Sequence, residues 1–222
     1  KWVRVLLYAV SALLLACGVF LLVREHVLLP DPDFVMPETP APTPEPTPEP
    51  TPVPGETPVP TPSPTPYVRP VPVRISFVEA KQSCEVFPGG VLENGQMEVI
   101  DRADAATWLE NVSGSLRPAP GEEGNAIIAG HKSKDGVAGT FKVLWDAKAG
   151  DAVVIDYEDG TQGWFYIDSI DRYPYQEVPA SVMSANAESP QLTLITCIGE
   201  WDSSGGTSSE RLVAVCKPGL PA

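Results

Sequence analysis

Apolar and polar positions follow three different regimes along the 222 residues. Residues 5–23 form an uncharged apolar run, close to the ~20 residues that span a bilayer. Across residues 37–72 proline recurs at nearly every second position, in units such as PTPEPTPEP. Helix and sheet cores both reject that pattern, whereas polyproline II accepts it. From residue 71 onward, apolar residues return in short bursts broken by Gly, Pro, Asn and Asp, which is the punctuation of strands and turns.

Within this last part the pattern predicts strands over residues 73–78, 85–87 and 96–100, with Pro88-Gly-Gly90 turning the chain. Asp101 suits the cap of a short helix over 103–112 that faces Trp108 and Leu109 inward. A strand over 125–131 ends in His131, and a helical turn over 140–147 buries Phe141, Leu144 and Trp145. Strands over 152–157 and 163–170 flank a Glu-Asp-Gly turn at 158–160. A connecting stretch over 173–190, with a helical turn at 179–184, leads to two last strands, QLTLITC at 191–197 and RLVAVC at 211–216. Residues 198–210 between them have loop chemistry. Seven or eight short strands with few helices predict an all-β domain, a closed or nearly closed β-barrel.

The chain thus divides into an N-terminal membrane anchor at 1–30, an extended Pro/Thr/Glu-rich linker at 31–70 and a β-domain at 71–222. Lys1 and Arg4 precede the apolar run; Arg24, Glu25, Asp31 and Asp33 follow it, so the N-terminus is expected in the cytoplasm and the domain outside. A cleaved leader fits less well, because the run is long and lacks a small-x-small exit. At ~3.1 Å per residue the linker reaches on the order of 100 Å and holds the domain off the membrane.

Composition removes other classes. A net charge of −14 offers no basic face for phosphates, so nucleic acid is not an expected partner. Two histidines and scattered acids give no metal-ligand spacing, and no cofactor is expected.

What remains is thiol chemistry. His26 adjoins the apolar run, which leaves His131 as the only imidazole of the β-domain. If strands 191–197 and 211–216 pair antiparallel, Cys197 comes to lie near Arg211 on one rim. His131 ends a strand of its own and can reach the same rim. A sulfur nucleophile, a base and a cation for developing charge are the parts of acyl transfer. The other reading is a non-catalytic β-domain on a stalk, a surface binding module in which Cys197 is structural.

At these residues the chain resembles the sortases, cysteine transpeptidases of bacterial cell surfaces. The resemblance rests on GNAIIAGH at 124–131, Phe141 and Leu144 ahead of Gly150-Asp151, TLITC at 193–197 and RLVAV at 211–215, in the family's order. It implies an eight-stranded barrel with a few short helices, Cys197, His131 and Arg211 as the catalytic set, and support for the oxyanion or substrate from Thr196. It further implies that the loop at 173–190 helps form a groove for an LPXTG-like sorting signal carried by surface proteins. The acceptor would be an amine of a wall precursor or a pilin lysine. The sequence at 198–202, IGEWD, fits more than one branch of the family. Asp31-Pro-Asp-Phe34 resembles the lid of some pilin-assembling members, but it precedes the linker and reads better as a juxtamembrane turn. Of the domain's three cysteines, Cys84 and Cys216 can form a bridge that leaves Cys197 free; the alternative is two separate buried thiols.

Overall fold

The computed structural model describes residues 30–37, 67–204 and 206–220. The expected membrane segment at 5–23 and most of the proline-rich linker lie outside the described residues.

Eight strands close a barrel: β1 (Pro72–Phe77), β2 (Gln82–Gly89), β3 (Ala105–Leu109), β4 (Asn125–Gly130), β5 (Ala152–Tyr157), β6 (Gln162–Pro174), β7 (Gln191–Asp202) and β8 (Thr207–Pro218). Their order around the wall is β1-β2-β3-β4-β7-β8-β6-β5, with β5 pairing back onto β1. Two contacts are parallel, β2 with β3 and β4 with β7; the others are antiparallel. Closure removes the open sheet edges that would otherwise invite pairing with other chains.

Alternate residues fill the interior. Ile75, Trp108, Ile128, Phe165, Leu194, Leu212 and Ala214 belong to one buried cluster. A 3-10 helix, Thr140–Trp145, packs against it, and Phe141 meets the Phe77 ring edge-on with centroids 5.4 Å apart. Phe141→Ala should therefore cost about 3–5 kcal/mol. The packing also depends on Gly130, where a Cβ would lie 2.4 Å from the Phe141 ring. The residue just before His131 is thus fixed by core packing.

Three local expectations are corrected. The helix over 103–112 is instead strand β3, every residue of which is buried. Ala106 and Trp108 point into the core, while Thr107 on the other face accepts a hydrogen bond from the Ile100 N–H at 2.8 Å. A strand covered on both faces loses its period-two alternation, so its apolar cluster reads equally well as a helix face. The strand over 96–100 reduces to an isolated bridge between Val91 and Met97, because the Ile100 amide goes to that threonine hydroxyl. Finally, β7 and β8 continue well into residues 198–210, past a register shift at 198–201 where Gly199 has φ +78°. A Cβ at Gly199 would fall 2.4 Å from the Ser209 hydroxyl. The polar residues there form a twisted, bulged hairpin, for which solvent-facing strand chemistry resembles loop chemistry.

The 31–34 turn sits against the β1–β2 turn. The Asp31 N–H donates to the Lys81 carbonyl at 2.9 Å, and the Ser83 hydroxyl donates to the Asp31 carboxylate at 3.4 Å.

Candidate active site

Strand register assembles the site. In the β7–β8 pair Cys197 lies directly opposite Arg211. The Gln191 N–H donates to the Gly124 carbonyl on the β4 side. Amides along a strand alternate sides, so those of residues 193, 195 and 197 also point toward β4. Cys197 and Arg211 therefore form a non-hydrogen-bonded pair, the type that brings side chains closest. On the other flank, β7 runs parallel to β4 up to Ile195 opposite Ala129. Two more steps along both chains reach Cys197 and His131.

Parity sets the direction of the thiol. Leu192, Leu194 and Ile198 belong to the interior cluster, which puts Cys197 on the outer face of the wall. There it is half-buried. A cavity of about 480 Å³ lies over it, and Cys197, His131 and Arg211 all line it. Its further walls come from Leu92 and Met97 of the β2–β3 connection and from Tyr175, Val178 and Met183 of the β6–β7 connection. No residue of the 31–34 turn lines it.

His131 Nε2 is buried and has no hydrogen-bond partner among the described residues. Arg211 lies 5.5 Å from the Tyr175 ring centroid. It donates to the Ser208 carbonyl at 2.9 Å, the Glu210 carbonyl at 3.1 Å and the Thr207 hydroxyl at 2.8 Å. These bonds use three of its five donors and orient the fork. Thr196 also lines the cavity. Strand alternation turns its side chain inward, away from the thiol, and its hydroxyl donates to the Gly130 carbonyl at 2.8 Å. It thereby fastens the end of β4.

Cys84 and Cys216 are both buried and unbridged. Burial pushes the Cys84 thiol up to about 12 and the Cys216 thiol higher still. The structure thus corresponds to the separate-thiol alternative and leaves Cys197 as the accessible cysteine among the described residues.

Several supports were not singled out from sequence. The Asn125 amide donates to the carbonyls of Val182 and Ser184, both at 3.0 Å, and accepts from the Thr193 hydroxyl at 2.7 Å. Arg117 donates to the Met183 carbonyl at 2.8 Å. Together they suspend the β6–β7 connection over the cavity. An Asn at the head of an apolar strand is the sequence signal that could have pointed to this, and the structure buries it fully. Among the described residues no group of acids, histidines and cysteines could hold a metal ion.

The model of the sortase domain matches residues 86–219, more than half of the chain. No curated protein matches. Among solved structures the chain is similar to a lid mutant of sortase C1 from Streptococcus agalactiae, at 17% identity over 67% of this chain and 69% of that one, with a TM-score of 0.48. It is likewise similar to sortase A from Corynebacterium diphtheriae (22%, 70% and 63%, 0.48) and to sortase A from Listeria monocytogenes (21%, 67% and 88%, 0.47).

Proposed function

The chain belongs to the sortase family of cysteine transpeptidases, and from that premise we propose that it is a membrane-anchored, cell-surface enzyme that moves sorting-signal-bearing proteins onto an amine acceptor. The observation that carries the reading is the convergence of Cys197, His131 and Arg211 on one outward-facing cavity, with the other two cysteines of the described residues buried.

The steps follow from those positions. The Cys197 thiolate attacks the carbonyl carbon of the threonine in an LPXTG-like signal, at its bond to the following glycine. The oxyanion that forms meets the two Arg211 donors not used by its own hairpin. As the C–N bond breaks, the imidazolium of His131 gives its proton to the leaving amine, and a thioester remains on Cys197. An incoming amine, from a wall precursor or a pilin lysine, attacks that thioester and loses its proton to His131. The thiolate then leaves, and the starting protonation states are restored. Apolar side chains of Val178, Met183 and Leu92 suit the apolar residues at the start of such a signal.

Incubation with a peptide containing Leu-Pro-any-Thr-Gly, followed by intact-mass analysis, should show a hydroxylamine-sensitive acyl adduct on Cys197. Supplying an amine should turn the adduct into a transfer product. An adduct on another residue, or none with any member of a peptide library, overturns the reading.

A further inference from the structure

The cavity exists because β4 stops early. Strand β4 ends at Gly130, while its neighbour β7 runs on to Asp202. Beyond Ile195 the β4-side carbonyls of β7 have lost their ladder. An unpartnered carbonyl in a partly desolvated site is costly and leaves the strand free to shift. The structure fills two of these positions with side chains. The Trp145 indole N–H donates to the carbonyl of Cys197 itself, at 3.2 Å. The Lys132 ammonium donates to the Gly199 carbonyl at 2.9 Å.

These two donors are joined to each other and to His131. The Lys132 ammonium lies 5.8 Å from the centroid of the Trp145 ring, and that of Lys142 lies 5.6 Å from it. Lys132 follows His131 directly in the chain. Its carbonyl accepts the Gly139 N–H at 2.9 Å, and the 3-10 helix that carries Trp145 begins at the next residue. Gly139 has to be glycine there, since a Cβ would lie 2.0 Å from the His131 carbonyl oxygen. The loop bearing the base and the strand bearing the thiol are therefore held together at two points.

We propose that Trp145 and Lys132 are positioning residues, a two-point brace that stands in for the missing end of β4 and sets Cys197 against His131. Neither touches substrate; both act through the backbone of β7. The proposal rests on Cys197 being the nucleophile. Misplacement of a reacting atom by about 1 Å can cost on the order of 10²-fold in rate, so loss of a single brace bond should register in turnover more than in binding.

The test uses the full chain and hydrolysis of the same Leu-Pro-any-Thr-Gly peptide, with thermal unfolding recorded for every variant. Trp145→Phe keeps the ring and removes the N–H; Lys132→Met keeps the stem and removes the ammonium. We expect kcat to fall about tenfold in Trp145→Phe and about threefold in Lys132→Met, each with KM within twofold of wild type. The double variant should lose less than the product of the two, because one brace is being removed twice, and Lys132→Arg should recover most of the loss. The iodoacetamide rate of Cys197 should change in both single variants without a matching change in thermal midpoint. Single variants within twofold of wild type in kcat, or losses that multiply and track a falling midpoint, overturn the brace. Cys197→Ala run alongside separates the two levels: full turnover in that variant defeats the nucleophile assignment, whereas a dead Cys197→Ala beside an unaffected Trp145→Phe defeats the brace alone. If Trp145→Phe does not fold, the Lys132→Met and Lys132→Arg pair carries the same test.

Discussion

Cys216 and Cys197 belong to one hairpin and differ in what governs the reactivity of sulfur. Cys216 lies opposite Leu192, points inward and is fully buried among apolar side chains. Cys197 lies opposite Arg211, five residues along the register, points outward and opens into the cavity. The inner thiol is held protonated by desolvation, whereas the outer one has a cation across the ladder and an imidazole beyond the end of β4. Side-chain parity on a strand therefore does much of the sorting that a catalytic thiol needs, before any particular contact is considered.

The contrast breaks most sharply under substitution. Cys197→Ala should remove peptide turnover, a loss on the order of 10⁴-fold or more, as expected when a nucleophile is deleted, and leave the unfolding midpoint nearly unchanged. Cys216→Ser should do the opposite, keeping turnover within a few-fold and losing about 1–3 kcal/mol by burying a hydroxyl without a partner. Kinetics and urea unfolding on the two variants check both halves. Chemical labelling sharpens the same point. Iodoacetamide should modify Cys197 in the native protein at least about 10³-fold faster than Cys84 or Cys216, which react only through opening of the barrel. Peptide mapping after short exposure reads the ratio directly, and comparable labelling of all three would mean that the barrel is open in solution.

How far the sequence carried this comparison depends on the element. The β7–β8 pairing and the Cys197–Arg211 adjacency were legible, because both strands are long, β-branched and unambiguous. So was the 3-10 turn over Phe141 and Leu144. Strand β3 was misread, since covering both faces of AATWL erases the alternation that marks a strand. Thr196 was expected to support the site; it lines the cavity, and its hydroxyl goes to the Gly130 carbonyl, a bond that local patterning does not show. Trp145 was read only as core. Its indole N–H meets the Cys197 carbonyl because β4 ends early, and where a strand ends relative to its neighbour is a property of three-dimensional register that local patterning does not encode.

Arg211 tests whether proximity to a cation is enough to explain the outer thiol. Lysine keeps the charge but loses the planar fork, along with the geometry of bonds to Ser208, Glu210 and Thr207. If the fork presents its remaining donors to the oxyanion, Arg211→Lys should lower kcat by about 10²–10³-fold with little change in folding. Turnover within a few-fold of wild type would instead assign Arg211 a purely electrostatic part.

The smallest effect comes from the inner thiols and tests their burial through pH. In the folded protein, burial holds the Cys84 thiol up to about 12 and pushes Cys216 further in the same direction. In the unfolded chain both ionise near the ordinary value of ~8.5. Below that pH both states carry the protons, and the thiols contribute no pH dependence. Above it the unfolded state binds fewer protons than the native one, so unfolding becomes easier as pH rises. The loss should begin near pH 8.5 and continue toward about 12 for Cys84, at no more than about 1.4 kcal/mol per pH unit for each thiol. A Cys84→Ala, Cys216→Ala double variant, itself less stable at pH 7, should therefore lose less further stability than wild type between pH 8 and pH 10. Comparing the two proteins at each pH cancels the contribution of tyrosines and lysines common to both. Urea midpoints at half-unit intervals over that range supply the measurement. Parallel curves for the two proteins would show that the inner thiols reach solvent, and the distinction between the two ends of the hairpin would then rest on Arg211 and His131 alone.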